Sequence, residues 1–416
     1  MDSRSDWQQL CLLLDMDPEL VDEYDLNPRR MERRGNAVRL TSDGATVYIK
    51  RMRKGQPGLD AVHQLTERLA RQGVRVPRML QNKYGDPWMR GEMGDFYVLP
   101  QIVGRPMRLD DESEFVEVAR VLGAWHRHAA AEPGRFAQPL RADLTYWWGL
   151  ARVKLDSYRE YALDRRTATE LDELFLSVRE DLDRQLARAL AYLPRAQYGA
   201  LCERAGKRGE LCHGNVVRQN LIRAQDGVYL LDHSHVFEGP QILDLANYIQ
   251  RYAARFDWDR KLCAEALNAY RQERPLSEAE WLALAVLFAY PAGVLRILEY
   301  YYEQRQDWDE EDFCAAFAQA CEWDQARIQF HESAFADALS PIDESGGGEE
   351  RIPPPSWALM PNGSFSRPRD EGDDDDALVH WGPLSSDRDL PEITAAPVPA
   401  PRVRPGRQTG LWRPPV

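Results

Sequence analysis

The 416-residue sequence lacks the marks of several common protein classes. Its net charge of −14 leaves no basic excess to bind a phosphate backbone, which argues against nucleic acid as a main partner. Its six cysteines have irregular spacing and include no Cys-x-x-Cys pair, as expected of scattered reduced thiols rather than of a disulfide framework or a zinc site. They are Cys11, Cys202, Cys212, Cys263, Cys314 and Cys321.

A secretory leader and a membrane span are also missing from the pattern. The first twenty residues carry acids where a leader needs a basic start. The longest uncharged run, residues 281–295, is shorter than a membrane span needs and contains Pro291, which favours a buried helix pair around a proline break. We therefore predict a soluble, cytoplasmic protein without a membrane span.

The most informative stretch runs from residue 211 to residue 249. A polar loop, His213 to Asn220, is followed by a turn at Asp226-Gly227 and by a β-rich run, after which Asp232 leaves the strand. Two hard oxygen ligands, Asn220 and Asp232, therefore converge on one hairpin. Such a pair suits Mg²⁺, which takes one or two protein oxygens together with waters and phosphate oxygens.

The order of these residues is similar to the catalytic loop of protein-kinase-like phosphotransferases, and it resembles the aminoglycoside phosphotransferase and choline kinase branch. The matching residues are His213-Gly214-Asn215, Asn220, Asp232 and Asp244-Leu245-Ala246. The branch has an aspartate where this chain has Asn215. The resemblance implies that Asn220 and Asp232 hold Mg²⁺ and that Asp244 braces the loop, although Asp244 is also explained as an ordinary helix N-cap.

A candidate nucleotide lysine lies in the N-terminal part. Two alternating β runs, residues 37–41 and 45–52, flank a Ser-Asp-Gly turn, and Lys50 lies in the second run, which resembles the V-A-I-K strand of kinases. The resemblance implies that Lys50 binds nucleotide phosphates and that Glu67, on a helix over residues 59–72, orients it. The alternatives are a solvent-facing lysine and a Glu67 that only neighbours Arg68 and Arg71. No G-x-G-x-x-G precedes Lys50, and residues 33–36 are the one candidate phosphate loop.

The remaining elements predict a two-lobed α+β fold of protein-kinase-like type, with strands first and helices later. Further strands are predicted at residues 74–80, 88–93 and 95–102, which would complete an antiparallel N-lobe sheet with one helix. Residues 101–104 mark the crossing to a mostly helical C-lobe, and family members bind adenine at that crossing. His126 and His128 lie two apart on a predicted helix, which makes a poor metal pair.

The composition changes near residue 339. Of 27 prolines, 14 lie from Pro341 to Pro415, beside a glycine run and an acidic block, so residues 339–416 are predicted to form a disordered C-terminal tail. Trp357, Trp381 and Trp412 are either docking anchors or incidental aromatics. The predicted domains are thus an N-terminal nucleotide-binding lobe (1–104), a helical C-terminal lobe with the catalytic loop (105–338) and the tail (339–416).

Residues 20–335 look like the CotS-type spore-coat proteins, a kinase-like group of this superfamily. The resemblance is carried by Lys50 on its hairpin and by the stretches VARVLGAWHRHAA, GVRVPRMLQNKYGDPWM and LAVLFAYPAGVLRILEYYYEQ. It implies binding of ATP and Mg²⁺, synthesis in the mother cell and a place in or near the spore coat, with coat proteins as partners of the tail.

The residue at position 215 bears on whether the protein is an active kinase, a weak one or a scaffold. Asparagine orients a hydroxyl but cannot take its proton, which predicts weak or lost phosphotransferase activity, as in a pseudokinase. A working kinase on a small-molecule or protein hydroxyl and a non-catalytic coat scaffold are the alternatives. His213, His233 and His235 are candidates for a substitute base, with a structural role as the simpler interpretation.

Overall fold

The computed structural model describes residues 3–14, 16–34, 37–52, 56–92 and 94–335. The predicted tail, residues 339–416 with its three tryptophans, lies outside the described residues. So do Gly35 and Asn36 of the candidate phosphate loop at residues 33–36.

An antiparallel five-stranded sheet forms the N-terminal part, in the order β1-β2-β3-β5-β4. The predicted hairpin is confirmed: Ser42 pairs with Ala45, and Gly44 has φ +83° at the turn, where glycine has no steric cost. The strands are β1 (Arg30–Arg34), β2 (Ala37–Ser42), β3 (Ala45–Arg51), β4 (Met89–Gly91) and β5 (Gly94–Pro100).

The strand predicted at residues 74–80 is wrong, because this segment is extended but belongs to no sheet. Its backbone is held at its two ends, where the Arg75 carbonyl accepts from Leu230 N and Leu80 N donates to Val98 O. Pro77 between them has no N–H to give to a ladder. The alternation of valines therefore reflects burial without strand pairing.

The alternating side chains of β3 separate two cores. Val47 and Ile49 point to one face and pack against a first helix, α1 (Ser3–Leu14), through Trp7 and Cys11. A short helix, α2 (Leu20–Glu23), completes that cover. Lys50 points to the other face, beside its cross-strand neighbour Tyr97, which belongs to the larger core. That face is covered by α3 (Leu59–Arg71), whose apolar side packs inward.

The rest of the described chain is mostly helical, which confirms the α+β prediction. Aspartate, threonine and serine caps start several of the helices, including capping boxes at Thr169 and Ser277. The helices are α4 (Glu112–His128), α5 (Leu144–Asp164), α6 (Glu170–Arg195), α7 (Tyr198–Arg208), α8 (Ile242–Tyr252), α9 (Arg260–Glu273), α10 (Glu278–Phe288), α11 (Ala292–Tyr302) and α12 (Glu310–Ala334).

Helices α4 and α9 cross closely in the larger core. Gly123 lies at the crossing, where an added Cβ would come within 2.7 Å of the Tyr270 carbonyl oxygen. The glycine therefore permits the close approach that brings side chains of α4 toward those of α9.

Two small sheets frame the loop that carries the predicted site. One has the order β6-β8-β9 and the other pairs β7 with β10. Their strands are β6 (Gly104–Pro106), β7 (Leu211–Cys212), β8 (Leu221–Ala224), β9 (Gly227–Leu230) and β10 (Phe237–Glu238). The loop thus leaves one small sheet and enters the other.

The helix pair predicted around Pro291 is confirmed as α10 and α11, which are largely buried. Among the described residues, no single helix has the length and apolar composition to cross a membrane; α10 and α11 together have both, with a bend of 45° between them.

Candidate active site

The catalytic-loop candidate, residues 213–220, joins β7 to β8 and ends in a short 3-10 helix, Arg218–Asn220. Gly214 adopts φ +76°, and a Cβ there would lie 2.4 Å from the His235 carbonyl oxygen. Only glycine fits this close approach to the segment that follows Asp232. The loop is therefore packed against that segment by its own backbone.

Asp244, in the first turn of α8, holds the loop in place. Its carboxylate accepts from the backbone N–H groups of His213 and Gly214, the latter at 3.0 Å. It also accepts from Nε2 of His126, at 3.0 Å. These contacts confirm that Asp244 braces the loop, and they replace the N-cap interpretation, since Gln241 occupies that position.

His126 extends this brace to α9. Burial lowers its pKa, while Asp244 acts in the opposite direction, so the ring is neutral. A carboxylate can only accept, so the proton is on Nε2, and Nδ1 accepts from the Tyr270 hydroxyl at 2.8 Å. The prediction that His126 and His128 form no metal pair agrees with this structural role for His126.

Lys50 and Asp232 meet at the mouth of the loop. The Lys50 ammonium from β3 donates to Oδ1 of Asp232 at 2.6 Å, and the two side chains are 10 % and 14 % exposed. Asp232 has φ +61°, a left-handed conformation that aspartate tolerates and that often occurs at functional sites. The solvent-facing alternative for Lys50 is therefore wrong.

The charge of Asp232 follows from this pairing. Burial alone would raise the pKa of its carboxyl, but Lys50, with a smaller contribution from the Ser234 hydroxyl, lowers that pKa well below its usual value. The Ser234 hydroxyl donates to the same Oδ1 at 2.7 Å. Asp232 is thus an ionised, positioned carboxylate at neutral pH.

Asn220 lies beside Asp232 on the β8–β9 hairpin. Its backbone carbonyl accepts from Leu231 N at 2.8 Å, next to Asp232 in the chain. Its Nδ2 donates to the Asn215 carbonyl oxygen at 3.0 Å, so Oδ1 is the side-chain atom that could bind a metal ion. An ionised carboxylate and an amide oxygen fit Mg²⁺. The described residues contain no cluster of three or more His, Cys, Asp and Glu that could hold a metal, so phosphates and waters would complete the shell.

Asn215 is tied to the loop through its backbone. Its N–H donates to Nδ1 of His213 at 3.3 Å, and its carbonyl accepts from Asn220. The residue is partly exposed. The loop therefore places position 215 next to the Asn220 and Asp232 pair.

This geometry can be compared with known proteins. A model of the APH phosphotransferase enzyme family matches residues 29–285. The chain belongs to this phosphotransferase family. The matched residues include the Lys50 strand, the catalytic loop, Asp232 and Asp244, so the site just described lies within the family's own region.

The phosphotransferase chain has relatives of known name. It is 22 % identical over 259 residues to spore coat protein S of Bacillus subtilis (strain 168), an alignment that covers 61 % of this chain and 73 % of that protein. The crystal structure of an aminoglycoside phosphotransferase from Alicyclobacillus acidocaldarius has a TM-score of 0.67, with 21 % identity, and covers 76 % of this chain and 95 % of the other. A spectinomycin phosphotransferase with bound ADP and spectinomycin has a TM-score of 0.52, with 12 % identity, and covers 80 % and 98 %. These similarities confirm the kinase-like fold and the CotS-type kinship.

The predicted partnership between Glu67 and Lys50 is replaced in this structure by two other pairs. Lys50 bonds Asp232, whereas Glu67 accepts two hydrogen bonds of 2.6 Å from Arg78. The hydrogen bonds from Arg78 are the main reason that the pKa of Glu67 lies below its usual value. A forked guanidinium matches a carboxylate better than an ammonium does, and Arg78 follows α3 closely enough to reach it. The alternative of a Glu67 that only neighbours Arg68 and Arg71 is also wrong, because its side chain is 14 % exposed and pairs with Arg78.

The three histidines around the loop are all neutral at pH 7. Burial lowers the pKa of both His213 and His235 to about 4, against the raising effects of Asp244 and Asp232, and takes the pKa of His233 well below its usual value. His233 accepts from Trp125 Nε1 at 3.2 Å. His213 and His233 therefore have the packing role that was the simpler interpretation, and His235 faces Asp232, with its Nε2 4.0 Å from Oδ2 of that carboxylate.

Arg141 is a residue near the site that sequence reasoning missed. Its Nη1 donates to the His235 carbonyl at 2.6 Å, and it lies against Gly214 of the catalytic loop. It is 73 residues before Gly214 in the chain, outside every motif, so no spacing in the sequence pointed to it.

Proposed function

We propose that the chain binds ATP and Mg²⁺ between the N-terminal sheet and the catalytic loop, and that its phosphoryl transfer is weak because Asn215 occupies the position of the catalytic aspartate. The observation that carries this proposal is the 2.6 Å contact between Lys50 and Asp232. It joins residues 182 positions apart and so brings the lysine of the sheet to the carboxylate that follows the loop, the two groups that would meet the nucleotide phosphates and Mg²⁺.

Each residue has a role in such a site. The Lys50 ammonium, which now neutralises Asp232, would turn to the nucleotide phosphates once a divalent ion took its place on that carboxylate. Oδ1 of Asn220 and the carboxylate of Asp232 would hold Mg²⁺, which neutralises charge on the phosphates. The backbone of residues 101–104, which follows β5, would receive the adenine. The boundary between the two lobes would then fall at residue 104.

The transfer step has a clear weak point. The acceptor hydroxyl oxygen forms a bond to the γ-phosphorus, the bond to the bridging oxygen breaks, and ADP leaves with that electron pair. Asn215 can accept a hydrogen bond from the hydroxyl and orient it, but it cannot take the proton, which must pass to solvent. Because positioning and charge neutralisation supply most of the catalysis in phosphoryl transfer, slow turnover would remain.

The similarity to spore coat protein S supports a place in or near the spore coat. That location would make coat proteins the partners, and the tail at residues 339–416 would be the segment that docks to them.

The test compares the parent protein with Asn215→Asp for release of phosphate from ATP to water. The aspartate should raise the rate by about a hundred- to ten-thousand-fold, the usual contribution of a general base. The matched control combines Asn215→Asp with Asp232→Asn, which keeps the new base but removes the metal carboxylate and should be inactive. Equal rates for the parent and Asn215→Asp, with nucleotide bound in both, would contradict the role given to Asn215 and favour a working kinase.

A further inference from the structure

Arg141 brings a positive charge to the catalytic loop. It lies in a 3-10 helix, Pro139–Ala142, just before α5, and its guanidinium lies over the Phe237 ring at 5.3 Å. A Cβ built on Gly214 would be 3.3 Å from its Nη1. The guanidinium therefore occupies the space beside Gly214, the residue that precedes Asn215.

This charge has no carboxylate partner among the described residues. Its one described hydrogen bond goes to the carbonyl of His235, and no described Asp or Glu lies within 4.0 Å of it. Asp244 is the acid whose charge acts most on it, but the oxygens of Asp244 accept from the loop N–H groups and from His126. Burial lowers the pKa of Arg141 to about 10, so the side chain is still protonated at neutral pH.

Two other arginines that are withdrawn from water are paired with acids. Arg274 donates to Glu280 at 2.6 Å, and Arg327 donates to Asp324 at 2.8 Å. A guanidinium withdrawn from water is costly unless it is paired, which is why these two have acids. Arg141 is not fully buried, and a negatively charged ligand bound beside the catalytic loop would supply the missing charge.

Asn215 points to the same kind of ligand. An aspartate at position 215 would stand close to Arg141 and would repel an anion bound there. The neutral amide removes that repulsion. An arginine without an acid partner beside Gly214 and a neutral residue at the next position, Asn215, both favour an anionic molecule.

We propose that Arg141 binds the anionic group, a carboxylate or a phosphate, of the molecule whose hydroxyl is presented at Asn215. The inference rests on the proposed function, because it assigns the substrate class of that same site: a small hydroxylated anion. The planar guanidinium keeps Nη1 on the His235 carbonyl and offers its other N–H groups to the ligand.

The experiment titrates the full chain, free of nucleotide, with three matched probes: glycerol, glycerate and glycerol 3-phosphate. Isothermal calorimetry should detect at least one anion and no binding of glycerol, and the stronger of the two anions identifies carboxylate or phosphate as the preferred group. Arg141→Gln keeps a donor for the His235 carbonyl but loses the charge. It should bind the anion about 10- to 100-fold more weakly, the loss expected for charge-assisted hydrogen bonds.

Two further variants control the result. Arg141→Lys keeps the charge without the fork and should fall between the parent and Arg141→Gln. Arg75→Gln removes an exposed arginine that pairs with Asp226, and it should bind the anion as the parent does. Should Arg141→Gln fail to fold, the probe series on the parent and the lysine variant decide the question.

Two results would overturn the inference: no binding of either anion at millimolar concentration, or equal affinity in the parent and Arg141→Gln. Stabilisation by ATP and Mg²⁺, measured on the same preparations, shows whether the Arg141 site or the proposed kinase function is at fault. Anion binding without a nucleotide response leaves the Arg141 site standing and removes the kinase function. A nucleotide response without anion binding removes the Arg141 site alone.

Discussion

Replacing Lys50 with methionine should destabilise the nucleotide-free protein by about 3 kcal/mol. The methionine keeps the length of the apolar stem but leaves Asp232 charged and enclosed, and breaking a buried pair by removing one partner costs about 3 to 5 kcal/mol. We expect the lower end, because the Ser234 hydroxyl still donates to that carboxylate. The contact distance of 2.6 Å and the low exposure of both side chains place the pair in the buried class.

A double-mutant cycle isolates the interaction itself. Asp232→Asn should also destabilise the protein, since it leaves the Lys50 ammonium without its acid. The double variant removes both charges, so it should lie closer to the parent than either single variant does. Urea unfolding followed by tryptophan fluorescence, with a metal chelator and no nucleotide, measures the four free energies of unfolding.

An exposed ion pair, Arg75 with Asp226, sets the loss of stability that Lys50→Met must exceed. Arg75 donates to Asp226 at 3.2 Å, with side chains 42 % and 59 % exposed, so Arg75→Met should cost at most about 1 kcal/mol. A Lys50→Met variant that loses no more stability than Arg75→Met, with a double variant that is simply additive, would refute the buried pair.

Two other perturbations test the surroundings of the site. Asp244→Asn should lower the free energy of unfolding in urea by about 2 to 3 kcal/mol. Only one end of the amide can accept a hydrogen bond, so a buried loop N–H or the His126 ring loses its acceptor. Asp226→Asn on the surface is the control, and an equal loss in both variants would contradict the bracing role of Asp244. Between pH 6.5 and 5 the free energy of unfolding should fall, because burial lowers the pKa values of His213, His235 and His331 to about 4 and the unfolded chain takes up the protons first. His331→Gln, remote from the site, should reduce that slope by roughly 1 kcal/mol per pH unit, and an unchanged slope would show that His331 titrates normally.

The catalytic loop and its carboxylates could be predicted from the sequence because they lie close together in the chain. The strand and turn pattern placed Asp232 at the exit of β9, and the hairpin pattern placed Lys50 on β3. Hydrophobic alternation fixes which residues share a face, so local signals were enough for these positions.

The contacts that join distant segments could not be predicted in this way. Glu67 lies on the helix foreseen for it, but its partner is Arg78, whose position depends on the extended segment around Pro77. The same segment misled the strand prediction, because alternation reports burial on one side and does not report whether a neighbouring strand is available. Arg141 and His126 reach the loop from elements far away in the chain. The predicted boundary at residue 104 and the role of the tail stay predictions.

The most direct test of the account is thermal unfolding of the full chain with and without ATP and Mg²⁺. A ligand bound only by the native state stabilises it by RT ln(1 + [L]/Kd), about 2.7 kcal/mol at a hundredfold excess over Kd. The account predicts a shift in Tm that needs both ATP and Mg²⁺ and that Asp232→Asn abolishes, while Asn215→Asp retains it. The absence of any shift at millimolar ligand, or an undiminished shift in Asp232→Asn, would contradict a nucleotide site at Lys50 and Asp232.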